Sequence, residues 1–153
     1  MRPIRTILVP VDFAPASREV VEMAIAMAQK FGASIDFFHV WQPPAMLPMQ
    51  LLVVPEAGGV PMAAEDVARS IAGAQLKELA AQVKADGVKE IRSHVGIGDP
   101  SSEIVELAGA NKFDLIIMGT HGRTGIQHAL LGSVAEKVVR RAPCPVLTVH
   151  ARG

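Results

Sequence analysis

The chain is poor in cysteine, poor in aromatic residues and has no surplus of charge. Each scarcity excludes something. Cys144 is the one cysteine in 153 residues, so no internal disulfide forms, which fits a reducing compartment. Fifteen basic residues balance fifteen acidic ones, so no global field points to a nucleic-acid backbone, and no acidic tail is present. Met1 to Val11 carries two arginines and a short apolar run, with Pro10 and Asp12 interrupting it; a signal peptide is not expected. The least polar stretch, Pro43 to Ala64, approaches a membrane span in length. Prolines 43, 44, 48, 55 and 61 and the Gly58–Gly59 pair rule out a regular helix there. A cytoplasmic protein with no membrane contact is the expectation. HExxH, CxxC, paired carboxylates and the GxxxxGK[ST] loop are all missing, so neither a metal enzyme nor a Walker-type ATPase is expected.

What is present is apolar. Half the residues are hydrophobic and the mean hydropathy is +0.31, so disorder is not expected. The six aromatics are five Phe and one Trp; the rest of the apolar mass is Ala, Val, Leu, Ile and Met, which suits helices packed on a sheet. The length fits one domain, 1–153.

Short apolar runs alternate with helical patterns. Thr6 to Pro10 reads as a buried strand. Ala16 to Phe31 reads as a helix with Val20, Val21, Ala24, Ala28 and Phe31 on one face and Gly32 as its stop. Ser34 to Val40 reads as a second strand, and a Pro/Gly-rich loop follows, about 41–62. A helix is expected from about Ala63 to Asp86, a third strand over Lys89 to Val95, and a turn at Gly96 to Pro100. Asp99 as N-cap and Pro100 in the first helical position open a helix to Asn111. Asp114 to Gly119 reads as a fourth strand, Ser133 to Arg141 as a helix, and Val146 to Val149 as a fifth strand. This alternation implies an α/β fold, a five-stranded parallel sheet with helices on both faces. Ligands in such sheets bind at the carboxyl ends of strands where the order reverses. In the order 3-2-1-4-5 that point lies between Pro10–Val11–Asp12 and Gly119 onward.

Four of the thirteen glycines fall between 119 and 132, in a loop that ends at a helix N-terminus. Glycine lets backbone approach a ligand, and free amides with the helix dipole favour an anion. On the residues alone, a phosphate site and a long loop of ordinary turns both remain open. Asp12 at a strand exit equally reads as a cap for the helix beginning near Ala16. Ser133 and Glu136 form an S-x-x-E capping box, a sufficient structural reason for the serine. His39 reads as a satisfied core or rim residue, and His94 and His150 lack metal-ligand spacing. Cys144, between two prolines, reads as a small packed apolar group.

The pattern Gly119-x2-Gly122-x9-Gly132-Ser133 resembles the ATP-binding signature of the universal stress protein family. The likeness extends to Ile7 through Asp12, to Gly98–Asp99–Pro100 with Ile104–Val105, to Gly132 through Val139 and to Ala142 through Leu147, so it covers about Arg5 to Val149. It implies the ATP-binding branch and a three-layer, doubly wound, Rossmann-like fold. It further implies that Pro10, Val11 and Asp12 lie on the adenine and ribose side, and that Val40 offers backbone to the adenine edge. Met118 and Gly119 would line the ribose. Gly122, Gly132, Ser133 and Val134 would give amides, and Ser133 a hydroxyl, to the phosphates, with His121 and Arg123 in the loop between. Mg²⁺ would be held mostly through phosphates and water. A homodimer through Val146, Leu147, Thr148 and Val149 is implied as well. Ala14 departs from the family, which often has Ser there.

With no P-loop lysine and no acidic metal pair, at most slow ATP hydrolysis is expected, and no catalytic or metal-ligating residue is assigned. Two other function classes stand beside a nucleotide-dependent stress-response module. One is a protein-interaction module working through the apolar loop 41–62, since loops this long in compact domains usually have a role. The other is a nucleotidyl transferase on the same fold, for which His121 is the one candidate acid or base.

Overall fold

The computed structural model describes residues 2–46, 48, 51–121 and 131–151. Its elements run β1 (Thr6–Pro10), α1 (Ser17–Phe31), β2 (Ser34–Trp41), β3 (Leu52–Val53), β4 (Met62–Ala63), α2 (Ala64–Ala85), β5 (Ile91–Ile97), α3 (Pro100–Ala110), β6 (Leu115–Gly119), α4 (Ser133–Arg141) and β7 (Val146–Val149). Five strands pair in parallel in the order β5-β2-β1-β6-β7, which is the expected 3-2-1-4-5 once the small β3–β4 hairpin is set aside.

Central β1 shows why apolar runs make this sheet. Ile7 and Val9 point to the face covered by α1 and α2, where Val20, Ala24, Leu76 and Val83 meet them. Leu8 points the other way, toward Ile104 and Ala108 of α3 and Ala135 and Val138 of α4. Both faces are covered, so successive residues must all be apolar. The β1–β2 ladder runs the whole length of β1, to Pro10↔Phe38, and β6–β7 runs to Gly119↔Val149. The β1–β6 ladder stops at Leu8↔Ile116. The carboxyl ends of β1 and β6 are thus each tied to their outer neighbour and not to each other.

Four expectations are corrected. Phe31 is 44 % exposed rather than on the buried stripe. Fifteen residues of α1 rise about 22 Å, whereas five-residue β1 spans about 16 Å, so the last turn overhangs the sheet before Gly32 (φ 65) ends it. The third main strand is Ile91–Ile97, not 89–95. It follows β2 out to Trp41↔Ile97, and Gly96 sits in it because the Phe38 ring fills the space: a Cβ there would lie 2.7 Å from Phe38 Cζ. The 41–62 segment is not all loop. Leu52–Val53 pairs antiparallel with Met62–Ala63, and Gly58 takes a positive φ of 80° between them. Ser133 and Glu136 do not form a capping box, as the geometry of α4 described below makes plain.

The buried Asp36 is partnered through one carboxylate oxygen, while its Oδ1 has no hydrogen-bond partner among the described residues. Asp36 is 1 % exposed and its Oδ2 lies 2.7 Å from His94 Nε2 on the neighbouring edge strand. His39 Nδ1 is 2.8 Å from the Val11 carbonyl oxygen, the satisfied rim histidine expected. Cys144 is half-buried, and that burial, with Asp114 nearby, pushes its thiol up from the ordinary range. Among the described residues, no helix is long and apolar enough to cross a membrane.

Candidate functional site

The exit of β1 is a rigid corner. The Val11 N–H donates to the Phe38 carbonyl at 2.9 Å, and its carbonyl meets His39. Asp12 Oδ1 accepts from the Ala14 N–H at 3.0 Å and from the Ser17 hydroxyl at 2.7 Å. Asp12 is therefore not the N-cap of α1. That place belongs to Ala16, which makes no side-chain cap bond; Asp12 instead closes a turn and holds the hydroxyl of the first helical residue. Phe13 between them takes φ 59, with its ring 4.8 Å from that of His39. A bulky residue in the left-handed region costs about 1–3 kcal/mol and persists only where its surroundings fix it. Val40 is half-buried near the end of β2, against the α3 and α4 side of the core.

The exit of β6 faces a different partner. Met118 is buried and Gly119 closes the strand. Thr120, 8 % exposed, is fixed on every side. Its N–H donates to Val149 O at 3.1 Å and its carbonyl accepts the Gly132 N–H at 2.6 Å. Its hydroxyl lies 2.9 Å from His121 Nδ1 and 3.1 Å from His150 Nδ1. The two imidazole rings are edge to face, 5.7 Å apart. Gly122 and Arg123, with the rest of 122–130, lie outside the described residues.

The loop returns at Gly132, and here glycine is required by contact. Its φ of −67° suits any residue, but an added Cβ would sit 2.8 Å from Thr120 O, which is backbone and cannot yield cheaply. Gly132 is the N-cap of α4 and makes no side-chain cap bond. Ser133 is the first helical residue and exposed; the first helical bond runs from Glu136 N–H to Gly132 O. Glu136 turns along the helix to Arg140 rather than back to Ser133. The amides of Ser133, Val134 and Ala135 thus open α4 behind an N-cap residue that has no side chain to fold over them. Such an end carries about half a positive charge and favours an anion.

The structure therefore brings Gly132, Thr120 and His121 together, with Ser133 and Val134 following on α4, and holds Pro10, Val11 and Asp12 on the adjacent strand exit. Thr120 and His150 were not foreseen. The pairing Gly119↔Val149 sets the next residue of each strand side by side, a long-range fact with no local signature. A cavity of about 390 Å³ lies elsewhere, between α1 and α2; it is lined by Val11, Phe13 and Val83 but by none of Gly119, Gly132 or Ser133. Among the described residues, no group of three His, Cys, Asp or Glu could hold a metal ion.

The sequence pattern of the Universal stress protein family matches residues 3–150. Universal stress protein MJ0531 of Methanocaldococcus jannaschii is 35 % identical over 145 residues, covering 95 % of this chain and 81 % of that protein. The fold matches that of universal stress protein UspA from Lactobacillus plantarum with a TM-score of 0.80 at 24 % identity, over 97 % of this chain and 99 % of that one. A universal stress protein solved in complex with cAMP matches with a TM-score of 0.70 at 28 % identity, over 99 % of this chain and 100 % of that one.

Proposed function

This chain belongs to the universal stress protein family, and from that premise we propose that it binds ATP and works as a nucleotide-dependent module of the stress response in the cytoplasm. One observation carries the reading: α4 opens on Gly132, whose missing side chain leaves no cap of its own over the first amides, and the close backbone approach to Thr120 O leaves no room for a Cβ there. That is the shape and polarity a phosphate tail requires. The relative solved with cAMP supports an adenine nucleotide as the ligand class.

In this reading the amides of Gly132, Ser133 and Val134, and those of Gly122, receive the phosphates, with His121 and Arg123 adding charge or hydrogen bonds. Met118 and Gly119 border the ribose. Pro10, Val11 and Asp12 take the adenine and ribose side, and Val40 offers backbone to the adenine edge. Mg²⁺ is held through the phosphates and water, where it neutralises phosphate charge. Without a P-loop lysine or a positioned base, hydrolysis is slow or absent, and no residue is assigned a catalytic role. The edge strand β7, with Val146 to Val149 all half-buried, pairs with its copy in a homodimer, which removes an otherwise open edge.

The test is whether an adenine nucleotide copurifies, read by mass spectrometry of the denatured protein, with calorimetry of ATP on wild type and Gly122→Val. No copurified nucleotide together with no measurable ATP binding ends the reading. A second reading, an interaction module working through 41–62, is favoured by the exposure of Met46 (94 %) and Val60 (78 %), with Leu52 and Val54 beside them. Deleting 45–60 separates the two: a loss of oligomer size or solubility with ATP binding intact supports an interface, and unchanged behaviour removes it.

A further inference from the structure

The cavity of about 390 Å³ between α1 and α2 lies on the opposite face of the sheet from α4. Its floor is apolar: Val11, Val21 and Val83 are buried, and Phe13, Ile25 and Leu79 pack beside them. The two helices are tied near their carboxyl ends, where the Gln29 side-chain amide donates to the Asp86 carbonyl oxygen at 2.6 Å. Sites for small molecules run from about 300 to 1,000 Å³, with mostly apolar walls and a few polar groups. The volume and the floor both fall in that class.

The rim decides which kind of molecule fits. Ser17, Arg18, Glu22, Gln82 and Asp86 form it. Arg18 is already paired: its Nε lies 3.0 Å from Glu22 Oε1, one turn along α1. The Ser17 hydroxyl donates to Asp12, so it has lone pairs left to offer and no proton. Gln82 carries no charge. Asp86 is the unmatched charge, with no ion pair to its carboxylate among the described residues. Its position sharpens this. Asp86 is the C-cap of α2, and a helix carboxyl end carries about half a negative charge, which favours cations and opposes a carboxylate. Lys84, the basic residue of that last turn, does not line the cavity. A carboxylate and a negative helix end thus stand together at the mouth of an apolar hollow, and a cation satisfies both.

We propose that the α1–α2 cavity is a second binding site, for a small amphipathic amine. The hydrocarbon part lies over Val21, Ile25, Leu79 and Val83, and the ammonium meets the Asp86 carboxylate and the carboxyl end of α2. The site is independent of the ATP-binding reading. That reading puts phosphates at a helix amino end on one face of the sheet, and the amine sits at a helix carboxyl end on the other.

The probes are 1-octylamine, octanoate and 1-octanol, which share one chain length and differ in head-group charge. They are titrated below their micellar range at about pH 7, where the amine is protonated, and read by methyl NMR of the whole protein. Octylamine should shift the methyl signals of Val21, Ile25, Leu79 and Val83 saturably, and bind about tenfold more tightly than octanoate. Asp86→Asn should weaken octylamine about fivefold and leave octanol unchanged. Gln82→Lys sets an ammonium on the rim one turn from Asp86 and should cancel the preference for amine over octanoate. Both positions are exposed, so the fold is kept, and ATP affinity should match wild type in both variants. Equal affinity for the three probes overturns the proposal. So do methyl shifts spread outside the cavity, or Asp86→Asn that binds octylamine as tightly as wild type. Wild type that binds octylamine in the expected way but binds no ATP supports this site and ends the nucleotide reading alone.

Discussion

Two loop-to-helix junctions in this chain have opposite ends. At α3, Asp99 folds its carboxylate over the opening turn, accepting the Ser102 N–H at 3.0 Å and the Ser101 hydroxyl at 2.6 Å, with Pro100 needing no partner. At α4 the same place is held by Gly132, with no side chain to fold over anything. The first junction caps its opening turn with its own N-cap side chain, and the second has an N-cap with no side chain to offer. The contrast extends to the amino-terminal end of the sheet, where Asp114 Oδ2 accepts the Arg5 and Thr6 N–H groups at 2.9 and 3.0 Å and the Thr6 hydroxyl at 3.1 Å. The chain closes exposed backbone donors with its own carboxylates at both places. At the start of α4 the N-cap residue has no side chain with which to do so, and the proposed ATP-binding reading puts the phosphates at that end.

The largest expected effect comes from closing the open junction. Gly132→Ala forces a Cβ against Thr120 O, and overpacking of this kind costs about 1–3 kcal/mol. If the strain falls on the loop, ATP binding should weaken about tenfold to a hundredfold by calorimetry, with a smaller fall in Tm. Unchanged affinity would remove the claim that the close approach serves the ligand.

Opening a closed place should do the reverse. Asp114→Ala deprives two backbone amides of a charged acceptor and should lower stability by about 2 kcal/mol in urea titration, with ATP affinity unchanged. Asp99→Ala removes the cap of α3 and should cost about 1 kcal/mol, again without touching ATP.

These two carboxylates also predict the acid limb of stability. Hydrogen bonds from Ser101 and Ser102 hold the Asp99 carboxyl below the usual carboxylate range, and those from Arg5 and Thr6 do so for Asp114. A folded-state value below the unfolded one means the unfolded chain binds more protons, so stability rises with pH through that window. The contribution is complete above about pH 4 and is lost as pH falls through the lowered values. In Asp99→Ala and Asp114→Ala the acid limb of a urea-midpoint curve should be flatter than in wild type. An identical slope would deny the carboxylates this role.

The smallest effect is at Ser133. Because it is not an N-cap, Ser133→Ala should change stability by less than about 0.5 kcal/mol. It should weaken ATP about fivefold through the lost hydrogen bond of its hydroxyl to phosphate, the backbone amide being kept. A drop in Tm of the size seen for Asp99→Ala would restore the capping role.

Much of this was legible in the sequence because the signals are local. Ile7, Leu8 and Val9 can be consecutive and apolar only where both faces of a strand are covered. Asp99 and Pro100 state a helix start in two adjacent residues, and the structure agrees. The misreadings share a cause. Ser133 and Glu136 carry the right spacing for a capping box, but spacing does not say which residue is the N-cap. That depends on where Thr120, from another strand, pins Gly132. The periodic face of α1 includes Phe31, yet burial there needed a sheet long enough to reach it. Gly96 reads as a turn until Phe38, far away in the chain, fills its missing side chain.

The alternation of apolar runs and helical faces determined the doubly wound sheet, and the glycine spacing from 119 to 132 carried the family resemblance, while on the residues alone an anion site and ordinary turns both stayed open. Those follow from the sequence because hydrophobic periodicity and backbone freedom are properties of neighbouring residues. The meeting of Thr120, His121, His150 and Gly132 was decided by the tertiary structure. It depends on β6 lying beside β7 in register and on a loop returning to close contact, and hydrogen bonds between remote residues exist only after the sheet has assembled.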